Sequence, residues 1–319
     1  MSAADLLLRL QRLDVAVVLD GDRLRLSGPR DVLTPELHRE LRQRRDELVA
    51  LLQKVGAPAT CGAGSLVPLQ AMRGDVRRAP LFAVPGHNGD VFCFRPLSQE
   101  MGPEQPFLAF QPPGVDGRDP PLETVEALAA RFVAEVRATE PEGPYRIGGY
   151  CTGGIVAFEA AQQLLAAGAQ VAALLLFGTP SAEGYALSHR LQATPVRAVS
   201  RALRLARGDH GRPPEAPPTE PEAADAARAE HRVRVERATT RAVRTYEPTV
   251  YPGRVVLFVP SDDRRAMFCE RYMEWRQVAG GGLTVHTGPS GTLHSRMLRP
   301  PAVADVAAVL RAELDRSGG

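Results

Sequence analysis

The sequence has few of the residues that mark specialised protein classes. Aromatic residues occupy only 5% of the 319 positions, and tryptophan occurs once. The cysteines are also few and widely separated, with no C-x-x-C pair and no Cys/His ligand spacing: they are Cys61, Cys93, Cys151 and Cys269. This pattern argues against a zinc site and against a disulfide framework. We therefore expect free thiols in a reducing cytoplasm.

An excess of charge of one sign and long apolar runs are missing as well. Lys and Arg number 39 and Asp and Glu 37, so the net charge is +2 and indicates neither a nucleic acid nor an anionic membrane as partner. No apolar run approaches the ~20 residues of a transmembrane helix, and no secretion signal is visible. The absence of a Rossmann glycine pattern, a Walker loop and a metal cluster argues against redox, phosphoryl-transfer and metal chemistry.

Residues 1–54 are predicted to form a small α+β domain. The stretch VAVVLDGDRLRLSG alternates apolar and polar residues about Asp20-Gly21-Asp22, which is typical of a β-hairpin. Thr34 followed by Pro35 then predicts a helix start, because proline is favoured at the first helical position. Residues 55–65, VGAPATCGAGS, are small and rich in Gly and Pro, and we interpret them as a linker.

From residue 66 to 319 the sequence alternates between strand and helix patterns. Apolar runs predict strands at 80–84, 106–111, 145–150, 171–178, 254–259 and 283–287. Helical periodicity appears at 122–140, 153–168 and 303–316. Near-continuous apolar strands that alternate with helices predict an α/β fold with a mostly parallel sheet covered on both faces.

One segment, at about 181–246, interrupts this alternation. It is rich in Arg and Ala and contains the Pro-rich run GDHGRPPEAPPTEPEAADAA. Because it falls between two predicted strands, we expect it to form a helical lid over the carboxyl edge of the sheet.

The stretch IGGYCTGGIVAFEAAQQLL contains the candidate nucleophile, Cys151. Gly149 and Gly153 flank it with the G-x-nucleophile-x-G spacing of a nucleophile elbow, between a predicted strand and a predicted helix. The free N–H groups and the dipole of that helix N-terminus favour a thiolate at the apex. The alternative is a buried structural cysteine in a tight turn.

His294, in GTLHSRML, is the candidate base for this thiol. It follows the last predicted strand and precedes the C-terminal helix, where an α/β-hydrolase-type sheet carries its histidine. Backbone N–H groups of Thr152 and of His87, in the Gly-rich loop VPGHNGD, are predicted to bind the oxyanion. For the acid, Asp262, three residues beyond the strand VVLFV, is favoured and Asp263 is the alternate; a turn or cap aspartate is the other interpretation of either.

Residues 66–315 resemble the type I thioesterase domains of nonribosomal peptide and polyketide synthases, which have the α/β-hydrolase fold. The resemblance is carried by LFAVPGHNGDVFCFRPL, YRIGGYCTGGIVAFEAAQQLLAAG, the insertion after LLLFGTP, TYEPTVYPGRVVLF and GTLHSRML. Residues 5–52 are similar to the TubC-type (tubulysin-type) docking domain. The chain departs from the thioesterase pattern at two positions, with Cys151 where serine is usual and Gly178 where many members have the triad aspartate.

The resemblance implies a thioesterase that works on an acyl chain delivered on the phosphopantetheine of a carrier protein, with no cofactor of its own. An acyl-cysteine is a thioester, which stays more reactive towards amines than an oxyester. We therefore expect transfer of an acyl, peptidyl or polyketide chain to an amine or hydroxyl, as in offloading, condensation or cyclisation. The alternatives are a hydrolytic thioesterase for editing or chain release, and a non-catalytic interaction module.

The docking domain implies a protein partner. The exposed hairpin strand in residues 1–54 could accept a partner segment by strand addition, and neighbouring arginines could meet an acidic tail. A small folding appendage is the alternative. An upstream synthase with its carrier protein is therefore the expected partner.

Overall fold

The computed structural model describes residues 6, 16–20, 23–27, 34–48, 65–70, 78–181, 220–261 and 274–316. The chain divides into two compact units, Met1–Ala63 and Gly64–Gly319. Most of the predicted linker and residues 182–219 of the predicted lid lie outside the described residues.

The first unit contains a two-stranded antiparallel sheet. Strand β1 (Ala16–Asp20) pairs with β2 (Arg23–Ser27) in a register that sets Asp20 opposite Arg23. This register leaves two residues between the strands, as in the tight turns favoured by Asp-Gly sequences. The hairpin predicted from the alternation of apolar and polar residues is therefore confirmed.

Helix α1 (Pro35–Gln43) follows the hairpin. The hydroxyl of Thr34 accepts a hydrogen bond from the Leu37 N–H at 3.3 Å, so a side chain satisfies one of the unpaired N–H groups of the first turn. Four leucines of the first unit are buried: Leu6, Leu37, Leu41 and Leu48.

The second unit is built on a seven-stranded sheet in the order β3-β5-β4-β6-β7-β8-β9. The strands are β3 (Leu66–Gln70), β4 (Leu81–Val84), β5 (Phe107–Phe110), β6 (Tyr145–Tyr150), β7 (Val171–Phe177), β8 (Val255–Val259) and β9 (Leu283–Thr287). All neighbours are parallel except β3 and β5. The sequence did not predict β3, whose Pro68 interrupts the strand pattern and is tolerated because β3 lies at the sheet edge.

The central strands bury both faces, whereas the edge strands β3 and β9 are largely half-buried. In β4, Phe82 and Val84 belong to one apolar core, whereas Leu81 and Ala83 belong to the other. Every position of such a strand must be apolar, which explains the near-continuous hydrophobic runs from which the sheet was predicted.

Helices cover the two faces. They are α2 (Arg95–Met101), α3 (Val125–Thr139), α4 (Thr152–Ala166), α5 (Glu220–Thr245), α6 (Trp275–Val278) and α7 (Ala302–Arg316), with 3₁₀ turns at Val91–Phe94 and His294–Arg296. Helices α3, α4, α5 and α6 contribute to the first core, and α2 and α7 to the second. Of the helices in the described ranges, none is long and apolar enough to cross a membrane.

Helix α5 lies within the segment predicted to be a lid. Its buried Ala242 and Val243 join the first core. Just beyond its end, Tyr246 donates a hydrogen bond to the Glu159 carboxylate on α4 at 2.7 Å. Burial, together with this carboxylate, raises the pKa of Tyr246 far above the ordinary value for a phenol. The hydroxyl therefore remains protonated and attaches the end of α5 to α4.

A buried carboxylate joins α7 to the last two strands. Glu313 is 1% exposed, and His286, Arg254 and Arg316 approach it at 2.7, 2.8 and 3.0 Å. Burial alone would raise the pKa of Glu313, but the hydrogen bonds from His286 and Arg254 and the two arginine charges hold it below its usual value.

We expect Glu313→Gln to destabilise the fold by about 1.5–3 kcal/mol at neutral pH, because the buried carboxylate loses its charge-assisted hydrogen bonds, whereas Arg254 and Arg316 are 41% and 58% exposed and stay solvated. Since the folded-state pKa is depressed, the stabilisation is present above the unfolded pKa of about 4.3 and is lost as pH falls through the folded value. Urea unfolding of both proteins from pH 7 to pH 3 measures this. A difference that stays constant over that range contradicts the assignment.

Candidate active site

The backbone at Cys151 is strained. Cys151 lies between the end of β6 and the start of α4, with φ 55° and ψ −127°, and no other described non-glycine residue has a positive φ. Such a conformation costs about 1–3 kcal/mol and persists only where the surroundings enforce it. The Cys151 N–H donates to the carbonyl of Phe177 at 2.9 Å, which fixes the turn to the neighbouring strand β7.

Three glycines make the turn possible through close approach. A Cβ built at Gly149 would lie 2.2 Å from the carbonyl oxygen of Gly153. One at Gly153 would lie 2.2 Å from the oxygen of Pro85, and one at Gly154 only 1.9 Å from the hydroxyl of Thr179. The glycines at 149 and 153 predicted from the motif are thus required by space, and the structure adds Gly154.

The thiol lies at the N-terminus of α4. Cys151 is half-buried, and Thr152, the first residue of the helix, is fully buried. The first four N–H groups of a helix have no acceptor within it, and they carry a partial positive charge. This environment favours the anionic form of a group placed there.

His294 lies at the same edge of the sheet. Its ring stacks on the ring of Tyr150, the residue before Cys151, with centroids 5.1 Å apart and an interplanar angle of 19°. The Tyr150 hydroxyl donates to the backbone carbonyl of His294 at 2.9 Å. The structure therefore brings the imidazole beside the elbow, although 143 positions separate Cys151 from His294 in the sequence (294 − 151).

Gly178, directly after β7, forms another wall of the imidazole site. It has a φ of 54°, and a Cβ built there would lie 2.7 Å from His294 Nδ1 and 2.8 Å from Met297 Sδ. The space that a side chain at position 178 would occupy is thus filled by the edge of the His294 ring and by the Met297 sulfur.

The two predicted oxyanion donors follow neighbouring strands. Thr152 begins α4, and His87 follows β4 in a turn closed by the Gly89 N–H donating to Gly86 at 2.9 Å. A Cβ built at Gly86 would be 3.6 Å from the Cβ of Cys151, so this loop borders the elbow.

The same loop meets helix α5. His87 Nε2 lies 3.6 Å from a Glu236 carboxylate oxygen, and the buried Val235 approaches Gly89. Part of the predicted lid therefore packs directly against the loop that carries a candidate oxyanion donor.

The two candidate acids, Asp262 and Asp263, lie outside the described residues. Ser261, directly before Asp262, is the last described residue of this range. Ser261 follows β8, and its N–H donates to the carbonyl of Thr292, two residues before His294. The end of β8 and the histidine loop are therefore hydrogen-bonded neighbours.

Two residues near the elbow were missed in the sequence. Tyr150 was part of the quoted motif, but its contact with His294 was not predicted. Cys93 was treated as an isolated cysteine, but its thiol lies close enough to Cys151 for the two to interact electrostatically. Burial raises the pKa of the Cys93 thiol well above the usual value, and the charge of Asp90 and a thiolate at Cys151 raise it further. Neither Cys93 nor Cys151 is in a disulfide. Among the described residues, no three His, Cys, Asp or Glu side chains form a metal-binding group.

Two protein-family models match this chain. A family model of the thioesterase domain matches residues 79–307, and a model of the TubC N-terminal docking domain matches residues 4–54. The thioesterase match covers more than half of the chain.

Curated relatives are much longer proteins. Indigoidine synthase from Dickeya dadantii (strain 3937) is 38% identical over 105 residues, 33% of this chain and 7% of that protein. Chondramide synthase cmdD from Chondromyces crocatus is 25% identical over 303 residues, 85% of this chain and 8% of that protein. The first relatives compared are matched over 7 to 12% of their length.

Solved thioesterase domains share the fold. The NocB thioesterase domain, in covalent complex with a fluorophosphonate nocardicin G analogue, has a TM-score of 0.57 and 26% identity, covering 80% of this chain and 100% of that domain. The Vlm2 thioesterase domain bound with a dodecadepsipeptide also scores 0.57, at 20% identity over 78% of this chain and 97% of that one. Because the thioesterase model matches residues 79–307 and the solved domains share its α/β-hydrolase fold, this chain belongs to the thioesterase domain family.

Proposed function

We propose that this chain is an acyl-transferring thioesterase in which Cys151 accepts an acyl, peptidyl or polyketide chain from a carrier-protein thioester and passes it to an amine or hydroxyl. The observation that carries the proposal is the strained Cys151 at the N-terminus of α4, with the His294 ring stacked on Tyr150, the residue before Cys151. Strain at one non-glycine residue is typical of a functional site, because packing alone offers many unstrained solutions.

In the first step, the Cys151 sulfur attacks the carbonyl carbon of the carrier-bound thioester. The bond from carbon to Cys151 forms, the bond to the pantetheine sulfur breaks, and that sulfur leaves with the proton that His294 has taken from Cys151. In the second step, an amine or hydroxyl attacks the acyl-cysteine and gives its proton to His294. The carbon–sulfur bond breaks, and Cys151 recovers a proton.

The remaining roles follow from the surrounding elements. The N–H groups of Thr152 and His87 are proposed to bind the oxyanion that develops in each step, since Thr152 follows Cys151 at the start of α4 and the loop of His87 borders the elbow. Asp262, or alternatively Asp263, is proposed as the acid behind His294. The hydrogen bond from Ser261 to Thr292 supports this choice, because it ties the end of β8 to the histidine loop.

Two features support transfer over hydrolysis. The acyl-cysteine intermediate is a thioester and is intrinsically reactive towards amines. In addition, helix α5 packs on the loop that contains His87, where a lid would limit the access of water to the intermediate. A reducing cytoplasm, which keeps Cys151 a thiol, suits this chemistry.

The substrate and partner are proposed from the relatives. Large synthases such as chondramide synthase contain a region similar to this chain, and the Vlm2 thioesterase domain binds a dodecadepsipeptide. We propose that an upstream synthase delivers the acyl chain on phosphopantetheine and that residues 1–54 bind a segment of that partner. The hairpin β1–β2 offers an edge for strand addition.

We expect mass spectrometry of the full-length protein, after incubation with an acyl-carrier thioester, to show acylation of Cys151. Cys151→Ala should abolish the adduct, and His294→Ala should slow its formation by roughly 10²–10⁴-fold through loss of the base. Cys151→Ser should shift the products towards free acid, since an oxyester is less reactive towards amines.

Cys93→Ala serves as the matched control and should still be acylated at position 151. Free acid as the only wild-type product would replace transfer with hydrolysis. A Cys151 that is never acylated, together with unchanged binding of the partner, would favour a non-catalytic interaction module instead.

We expect deletion of residues 1–54 to reduce turnover with the intact partner synthase but not with an N-acetylcysteamine thioester of the same acyl chain. The reason is that docking raises the local concentration of the carrier without touching the chemistry. Steady-state rates with both substrates measure the difference. Equal loss with both substrates would show that the segment supports the fold of the enzyme and would contradict a docking role.

A further inference from the structure

The aromatic ring before the candidate nucleophile is anchored in the second core. Tyr150, the last residue of β6, lies opposite Phe177 on β7. Its ring meets the buried Phe94 edge-to-face, with centroids 6.5 Å apart, and Phe94 in turn contacts Phe177 at 6.4 Å. The core therefore leaves the Tyr150 ring little freedom to rotate.

This ring holds His294 at two points. Its face stacks on the imidazole at 5.1 Å and 19°, which sets the plane of the histidine ring. Its hydroxyl donates to the His294 carbonyl at 2.9 Å, which sets the backbone of the 3₁₀ turn that carries the ring. Two contacts from one rigid side chain fix both the position and the orientation of the imidazole.

The opposite boundary of the imidazole is a glycine. A Cβ at Gly178 would lie 2.7 Å from Nδ1 and 2.9 Å from Cε1 of His294, closer than real Cβ atoms approach other atoms. A side chain at 178 and the imidazole in its observed place therefore exclude one another. An aspartate at this position would have to displace the ring it is meant to orient.

From these contacts we infer that Tyr150 is the positioning residue for His294, and that Gly178 is required to leave room for the imidazole it holds. Tyr150 carries no charge, so it orients the base without the electrostatic stabilisation of an imidazolium that a carboxylate would add. This inference rests on the proposed roles of Cys151 and His294, and it adds a residue outside the nucleophile, base and acid.

The first test compares Tyr150→Leu and Tyr150→Phe in the full-length protein, using a thioester substrate. Tyr150→Leu removes both contacts and should lower kcat by roughly 10–100-fold with KM changed less than about twofold. The reason is that a misplaced His294 slows proton transfer in the chemical step but does not alter the binding of the substrate. Tyr150→Phe keeps the stacked ring and should recover most of kcat. Alkylation of Cys151 by iodoacetamide at pH 7 should follow the same order.

Melting temperatures separate positioning from folding. A loss of kcat in Tyr150→Leu at an unchanged melting temperature, with rescue by phenylalanine, supports the inference. Wild-type kcat in Tyr150→Leu, or a loss found entirely in KM, overturns it.

The second test places a side chain at position 178. Gly178→Ala and Gly178→Asp should both lower kcat by at least about tenfold, with aspartate no better than alanine, since either Cβ displaces the imidazole. Gly168→Ala is the matched control: Gly168 also has a positive φ, 77°, but nothing lies within 4 Å of its built Cβ. It therefore reports backbone strain alone. A Gly178→Asp variant more active than wild type would overturn the inference.

Cys151→Ala, measured alongside, separates the two levels of failure. Turnover that survives in Cys151→Ala contradicts the proposed function itself. Turnover lost in Cys151→Ala but unchanged in Tyr150→Leu and in Gly178→Asp contradicts only the role of Tyr150 and Gly178.

Discussion

The site depends on how closely α4 approaches the strands beneath it. The carbonyl oxygens of Val84 and Pro85 lie where a side chain at Gly153 would be, and Thr179 fills the space beside Gly154. This contact draws the helix N-terminus against the carboxyl edge of the sheet and forces the connecting residue into a left-handed conformation. The thiol of Cys151 is consequently presented at the edge, within the field of the helix dipole.

The aromatic residues of the second core extend this constraint to the imidazole. Phe94, Phe177 and Tyr150 form a continuous packed group, and Tyr150 contacts His294 through both its ring and its hydroxyl. Since Tyr150 adjoins Cys151 in the sequence, one short segment fixes the candidate nucleophile by backbone strain and the candidate base by side-chain contact. Positioning of His294 by Tyr150 is consistent with the glycine at position 178, where no side chain that could orient the imidazole fits.

The thiol and the lid support the same chemical outcome in the proposed function. A cysteine intermediate preserves the energy of the incoming thioester, so an amine or hydroxyl acceptor can be acylated without further activation. Helix α5, attached to α4 through Tyr246 and Glu159, packs over the loop with a candidate oxyanion donor. In the proposed function, this packing would limit the access of water to a reactive acyl group, which a purely hydrolytic enzyme would not need.

The sequence alone determined the features that depend on short-range patterns. Apolar runs located six of the seven strands of the large sheet, because central strands such as β4, β5 and β8 are buried on both faces and must be apolar throughout. The glycine spacing located the elbow at Cys151. Tertiary structure decided what depends on contacts between distant positions: the stacking of Tyr150 on His294, the exclusion of a side chain at Gly178, and the neighbourhood of Cys93 and Cys151. Periodicity and spacing describe a residue's own element, whereas these contacts arise only when the ends of parallel strands are brought to one edge of the sheet.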